Sequence, residues 1–481
     1  MKKILLFVSM LLCHSTFTLA QQYSLQQLQD SALQNNAAIH AAHHDIRAAQ
    51  QQRKEAFTKF FPSVSATGLW FNANKGMAEM QIDPNEIISS ANLPLDQIPA
   101  STMTMLSTML SPEVLASLSS LTAPMSVSML KNGTIAGVMA VQPVFAGGQI
   151  VNGNKLARVG EDVSRLKLQL STNEVTKTTS LYYWQLVSLQ EKMLTVKAVE
   201  ALLDDIVKDV TVAVRAGVAV RNDLLQVQLR QNDVRSQQLK LQNACSLVKM
   251  MLAHHCGLRD TLFTVSSAIT DESTVLLPSP FAASVQGETA LPLLPEYRLL
   301  EKQVEATKLQ RRMEVGKRLP SLGVGAGYNY HNLMERSFLD ASKGKIDRTF
   351  GMVFASVSVP LSDWWGGSHA IKRRKIEQLK AQEQLTDNAQ LLKIRMQKAW
   401  NDVQEAFQQV ALARQGVEQA EENLRLNRDF YKAGTCTMND LLQAQLLYQQ
   451  ARDKRTDAFA AYQNSLLDYH QAVGRSNFLS R

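Results

Sequence analysis

His40 and His44 lie four residues apart in helix-forming sequence, with His43 beside them. That spacing puts two imidazoles on one helix face, where they could bind a metal. No placed carboxylate or cysteine completes the set, so exposed or interhelical histidines are the plainer reading. His254-His255-Cys256 stands near a helix end, where the macrodipole alone favours histidine. Met103, Met105, Met109, Met125 and Met129 could suggest soft-metal ligation. Their irregular spacing among Ser and Leu fits an apolar, adaptable surface loop better. Cys245, Cys256 and Cys436 are odd in number and irregular in spacing, so they describe no disulfide framework. Cys245 and Cys256 would stand about 16 Å apart along one helix, too far for a bond. No nucleophile elbow, P-loop, dinucleotide fingerprint or zinc-protease motif occurs. The sequence points away from an enzyme and calls for no cofactor.

The carboxylates with a defined setting are Asp223 and Asp440. Each lies in the pattern A-G-x4-N-D-L-L-Q-[AV]-Q, which runs Ala216–Gln228 and again Ala433–Gln445. Long helical sequence leads up to each copy and away from it, so the pattern marks a duplicated unit. Gly217 and Gly434 suit a left-handed helix C-terminus. Asn222 and Asn439 can cap the next helix, with Asp223 and Asp440 in its positive first turn. Each copy reads as the tip of an antiparallel helical hairpin.

Residues 1–20 read as a secretory signal: Lys2 and Lys3, an apolar Ile4–Leu12 stretch, and Thr18-Leu19-Ala20 before Gln21. Cys13 raises lipidation, but Leu12 is not the small residue that a lipobox wants. After residue 20 no run is long and apolar enough for a transmembrane helix, which leaves membrane entry as β-strands open. The net charge of +8 is spread along helices without a uniform basic block, so it reads as solvated faces rather than a nucleic-acid surface.

The chain then repeats itself. The first repeat covers 21–262, with strands at about 63–74 and 134–145 and a hairpin tip at about 214–223. Ser24 and Gln27 offer a capping box at its start, and helical sequence is expected to continue from there to about Phe60. An irregular, Met- and Ser-rich segment fills 75–132, with short helices expected around 85–90 and 112–121. A Ser, Thr and Pro linker covers 263–290. The second repeat covers 291–475, with strands at about 321–331 and 349–361 and a tip at about 431–440; 476–481 is a tail. The last strand has a mixed phase, with Phe350, Met352 and Phe354 in one register and Val357 and Val359 in the other, and helix is expected to resume at about 369. In the third strand Leu322, Val324, Ala326, Tyr328 and Tyr330 share one face, and Gly323, Gly325, Gly327, Asn329 and His331 the other. The first could meet core or lipid, the second a wet lumen. Four strands are too few for a barrel, and open edges cannot sit in lipid. The sequence therefore calls for several copies of itself.

The ordered duplication resembles the TolC-like outer membrane efflux protein family. The tip motifs carry the resemblance, with the Phe61-Pro62-Ser63 and Leu319-Pro320-Ser321 junctions, the Pro143–Gly148 strand end, and Tyr462-x6-Tyr469-x4-Gly474. It implies a mostly α fold with transmembrane β: a homotrimer whose twelve-stranded β-barrel continues into a twelve-helix periplasmic α-barrel. It implies an exit duct in the outer membrane of a Gram-negative bacterium, partnered by a periplasmic adaptor and an inner-membrane transporter. Tyr431 and Asp223 match a pair that latches the family's closed tips, while the family's arginine falls on Cys436. Asp440 matches the first of two constriction aspartates, and Gln443 replaces the second. Three Asp440 carboxylates around one axis would attract cations and repel one another's charge; plain helix capping is the alternative for Asp440 and Asp223. Gly217, Asn222, Gly434 and Asn439 would meet the adaptor. Trp70, Phe71, Tyr328, Tyr330, Trp364 and Trp365 would form interfacial girdles in outer-membrane lipid, or else ordinary β-core aromatics. The competing reading is a soluble periplasmic coiled-coil scaffold or adaptor.

Overall fold

The computed structural model describes residues 21–74, 78–82, 125–129, 132–266, 289–335, 344–361 and 363–475. The first repeat runs β1 (Gln21–Tyr23), α1 (Leu25–Asn35), α2 (Ala37–Thr58), β2 (Ser63–Asn72), β3 (Ala78–Ile82), β4 (Met125–Met129), β5 (Asn132–Ala146), α3 (Gln149–Arg215), α4 (Arg221–Cys256) and β6 (Phe263–Val265). The second runs α5 (Pro295–Gly316), β7 (Ser321–Glu335), β8 (Gly344–Ser358), α6 (Asp363–Lys432) and α7 (Met438–Ala472).

Departures from expectation have identifiable physical causes. The capping box forms: Gln27 N–H donates to Ser24 Oγ at 3.3 Å and Ser24 N–H to Gln27 Oε1 at 2.9 Å. The helix expected to run unbroken to Phe60 breaks at Asn36, which is extended. Asn36 Oδ1 accepts the Ala38 N–H at 2.9 Å and its amide donates to the His255 carbonyl at 2.9 Å. A side chain that bonds nearby backbone competes with the helix in this way. Within the expected linker, Phe263–Val265 instead pairs in parallel with β1. Within the expected irregular segment, β3 and β4 pair antiparallel; the short helices expected around 85–90 and 112–121 lie outside the described residues. The strand expected to reach 361 ends at Ser358, and α6 begins at Asp363, not near 369.

The chain divides into two compact units that cut across the repeats. One comprises Glu55–Asn154 and Arg312–Ile371. It holds a four-stranded antiparallel sheet in the order β2-β5-β7-β8. The two hairpins thus join through β5 and β7, leaving β2 and β8 as the sheet's edges. Register assigns the faces, because opposed residues point the same way. Val64, Trp70, Val138, Val324, Tyr328, Val353 and Val357 fall on one face, and all are exposed. The other carries Ser63, Ser65, Thr67, Asn329, His331 and Arg348, with Phe350, Met352 and Phe354 of β8. The mixed phase of β8 is resolved: its aromatic residues cover the small face of β7. Phe350 stacks on His331 at 5.3 Å, and Phe354 lies over Gly325.

At the base of this unit two backbones touch. A Cβ on Gly147 would come within 2.0 Å of the Gly316 carbonyl oxygen, and one on Gly316 within 2.3 Å of the Gly147 oxygen. Gly147 also has φ of 58°. Only glycine fits such a crossing.

The remaining chain forms the helical unit, where Leu and Val repeat at helical spacing and bury three clusters. Leu28, Leu186, Val187 and Leu252 centre the first, and Met396, Trp400, Val403 and Tyr462 the second. The third joins Val196, Leu203 and Val210 of α3, Val227 and Val234 of α4, and Met438 and Leu441 of α7. It lies beside the hairpin tips.

Candidate gate at the hairpin tips

Both hairpins turn at a left-handed glycine, with φ of 72° at Gly217 and 73° at Gly434. Val218 N–H reaches back to the Ala213 carbonyl at 2.9 Å, and Thr435 N–H to Phe430 at 2.9 Å, which satisfies the last carbonyls of α3 and α6. The next helices are not capped by Asn222 and Asn439, as the sequence suggested. In the second tip Thr437 is the cap. Asp440 N–H donates to Thr437 Oγ1 at 3.2 Å, while Asp440 Oδ2 accepts the Thr437 N–H at 2.9 Å and hydroxyl at 2.6 Å. These bonds to the charged form hold the Asp440 carboxyl below the usual aspartate range. In the first tip the cap position is Val220, which has no hydroxyl, and no side-chain cap forms. The two tip aspartates therefore sit in different settings: Asp440 is tied into its own helix start, whereas Asp223 is not.

Asp223 is half-buried, and its charge acts on Tyr431. Burial first, then Asp223 and Cys436, push the Tyr431 hydroxyl above its ordinary pKa. The Tyr431 ring packs on the third apolar cluster. Among the described residues no hydrogen bond joins Tyr431 to Asp223. Asn222, Gly217, Gly434, Asn439, Asp440 and Gln443 are all exposed. The Cys436 thiol donates to the Asn427 carbonyl at 3.4 Å; burial and then Asp440 push its pKa up, so it stays a thiol.

A polar layer escaped the sequence reading. Arg230, Gln237, Gln445 and Gln449 join α4 to α7 by hydrogen bonds inside the helical unit. The signal was present: Met438, Leu441, Gln445 and Gln449 are spaced 3, 4 and 4 along one helix stripe, and all four are buried. Amides at core positions of an apolar stripe mark a buried polar contact.

Farther along α7, Lys192 Nζ pairs with Asp457 at 2.7 Å and Ser188 Oγ donates to it at 2.9 Å. Asp453 has no such partner, and its Oδ1 is buried without a hydrogen bond. Burial, reinforced by the charge of Asp457, pushes its carboxyl up to about 6 against the pull of Lys192 and Arg452. A raised acid disfavours the fold once ionised, so its cost is absent below 3.8 and complete above about 6. Asp453→Asn should therefore stabilise the protein by about 1–3 kcal/mol at pH 7. Thermal unfolding across pH checks it: the gain should shrink towards zero as the pH falls to the unfolded value.

The other candidates separate. Trp70, Tyr328 and Tyr330 share the apolar face of the sheet, whereas Phe71 pairs with Gly133 and lies on the opposite face. Trp365 is 88% exposed in the first turn of α6, a turn that Trp364 shares. His40, His43 and His44 are exposed, and among the described residues no cluster of three or more His, Cys, Asp or Glu could hold a metal. His255 is a structural pin, with its ring bonded to Asn36 and to the Val175 carbonyl. Cys256 is fully buried, and its thiol is pushed up to about 12 by burial. Met103, Met105 and Met109 lie outside the described residues.

Solved structures share this fold of long helical hairpins and an antiparallel sheet. VceC of Vibrio cholerae has a TM-score of 0.67 at 13% identity, covering 94% of this chain and 96% of its own. CusC gives 0.71 at 14%, covering 95% of each chain. CmeC of Campylobacter jejuni gives 0.68 at 14%, covering 94% and 86%. No curated protein matches the chain by sequence. Residues 290–475 match the model of the outer membrane efflux protein family.

Proposed function

We propose that this chain is one protomer of a homotrimeric outer-membrane exit duct. The duct serves a tripartite efflux or type I secretion system and conducts passively. Its cargo is small molecules or proteins delivered by an inner-membrane transporter through a periplasmic adaptor. The observation that carries this reading is the sheet. Its apolar face suits lipid, and its bare β2 and β8 edges need partners there. Three copies that join β8 of one to β2 of the next give twelve strands and no edge. The long helices then belong in the periplasm. Their tips, with Gly217, Asn222, Gly434 and Asn439, face the adaptor.

Within that assembly Trp70, Tyr328 and Tyr330 sit at a lipid interface, and Trp364 and Trp365 at the other end of the strands. Asp223 and Tyr431 restrain the tips, and Asp440 and Gln443 line the constriction. The duct holds no cofactor and catalyses nothing. Fractionation tests the reading: the signal-processed protein should need detergent for extraction and run as a trimer that resists heating. Recovery as a soluble periplasmic monomer would instead support the scaffold reading.

The tip restraint has its own test. Tyr431→Phe combined with Asp223→Ala should raise single-channel conductance above that of the parent. An unchanged conductance rejects the pair as a restraint.

A further inference from the structure

The apolar core beside the tips contains one polar layer between the return helices of the two hairpins. Arg230 of α4 donates from Nε to Gln445 Oε1 at 3.0 Å and from Nη2 to Gln449 Oε1 at 2.9 Å. Gln449 Nε2 donates onward to Gln237 Oε1, back on α4, at 2.8 Å. Gln445 is fully buried and Gln449 is 5% exposed. Val227 and Val234 flank the layer on α4, and Leu441 precedes it on α7. The adjacent Gln231 donates to Asp204 of α3 at 2.7 Å, so α4 is held from its other side as well.

The choice of acceptors sets the strength of this contact. A half-buried guanidinium ordinarily recovers its desolvation from a carboxylate. Here the hydrogen bonds of Arg230 go to neutral amides, which return less than ionised acceptors. Burial accordingly lowers the Arg230 pKa, against the nearby charge of Asp233. Both faces of the contact lose if α7 slides: Gln445 has no water to turn to, and the guanidinium loses two fixed acceptors. A buried polar contact inside an apolar seam specifies register at modest cost, which is what a releasable restraint needs.

We infer that Arg230 is a positioning residue that locks α7 onto α4 through Gln445, Gln449 and Gln237, and that releasing this lock frees the second hairpin to open the duct. The opening step rests on the duct reading above; the locking step does not.

The test uses the full-length, detergent-purified protein with Arg230→Ala, Gln445→Ala, the double variant and Arg230→Lys. Amide hydrogen exchange over 438–449 and bilayer conductance are measured on each. Arg230→Ala should speed exchange in that segment by about tenfold and raise conductance. The double variant should add less than the sum of the singles, since both break one contact. Arg230→Lys, which keeps the charge but loses the fork, should fall between. Unchanged exchange in Arg230→Ala, or additive singles, overturns the lock whatever the conductance. Faster exchange with parental conductance overturns its role in opening. A parent that never conducts while the exchange pattern holds defeats the duct reading and leaves the lock standing. Should Arg230→Ala fail to fold, Gln445→Ala and Arg230→Lys carry the same comparison.

Discussion

Replacing Gly147 with alanine should abolish the recovery of folded protein, while the same change one residue later should not. Gly147 has φ of 58°, and Gly148 has φ of 75°. The left-handed conformation alone costs an alanine about 1–2 kcal/mol at either position. The difference lies in what a methyl group would meet. At Gly148 the nearest heavy atom is the Asn152 side-chain nitrogen at 3.5 Å, an ordinary contact. At Gly147 it is the backbone oxygen of Gly316 at 2.0 Å, and backbone cannot rotate away. The end of β5 and the end of α5 would have to part, and with them the junctions of both repeats. The expected loss for Gly147→Ala exceeds about 4 kcal/mol, a size reserved for identifiable structural failures. Yield of protease-resistant protein and its denaturation midpoint check this. Equal behaviour of the two variants would show that the crossing is not tight.

The second large effect separates two neighbouring residues on one strand. Val353 is 86% exposed on the apolar face of the sheet, paired with Ala326. Met352 beside it points to the opposite face, where Asn329, His331 and Arg348 already stand. Arginine on a lipid-facing strand position costs about 2–4 kcal/mol near mid-bilayer. A trimer would meet that cost three times over, so Val353→Arg should block insertion into the membrane. Met352→Arg, on the face that the proposed barrel turns to its lumen, should change stability by no more than about 1 kcal/mol. Membrane fractionation of the two variants reads the result. A soluble scaffold predicts the reverse for Val353, because a charge on an exposed apolar face in water improves solubility.

The order of helices and strands was legible in the sequence because its signals were repeated and ordered. The two glycine tips, the helix-to-strand prolines and the alternation in β7 are local signals of turn and strand, and the structure has hairpin turns and strands at those places. Finer placements turned either on a choice between neighbouring residues or on partners that are distant in sequence. Asn439 looked like the cap, but Thr437 with Asp440 three residues on makes the stronger reciprocal pair. In the first tip, Val220 leaves that position without a hydroxyl. The phase of β8 could not be chosen within the strand; its pairing with β7 put Phe354 over Gly325 and Val353 on the apolar side. The break at Asn36 needed His255, 219 residues away. The Gly147–Gly316 crossing and the Arg230 layer likewise join residues from different repeats, which no local pattern brings together.

On the proposed reading, three copies of this chain make a conducting pore that is closed at its tips. Planar-bilayer conductance of the detergent-extracted protein, with its mass determined on the same sample, tests that claim most directly. A trimer that passes small, cation-selective currents is the predicted result, with the Asp440 carboxylates favouring cations at the constriction. A soluble monomer without channel activity would contradict it.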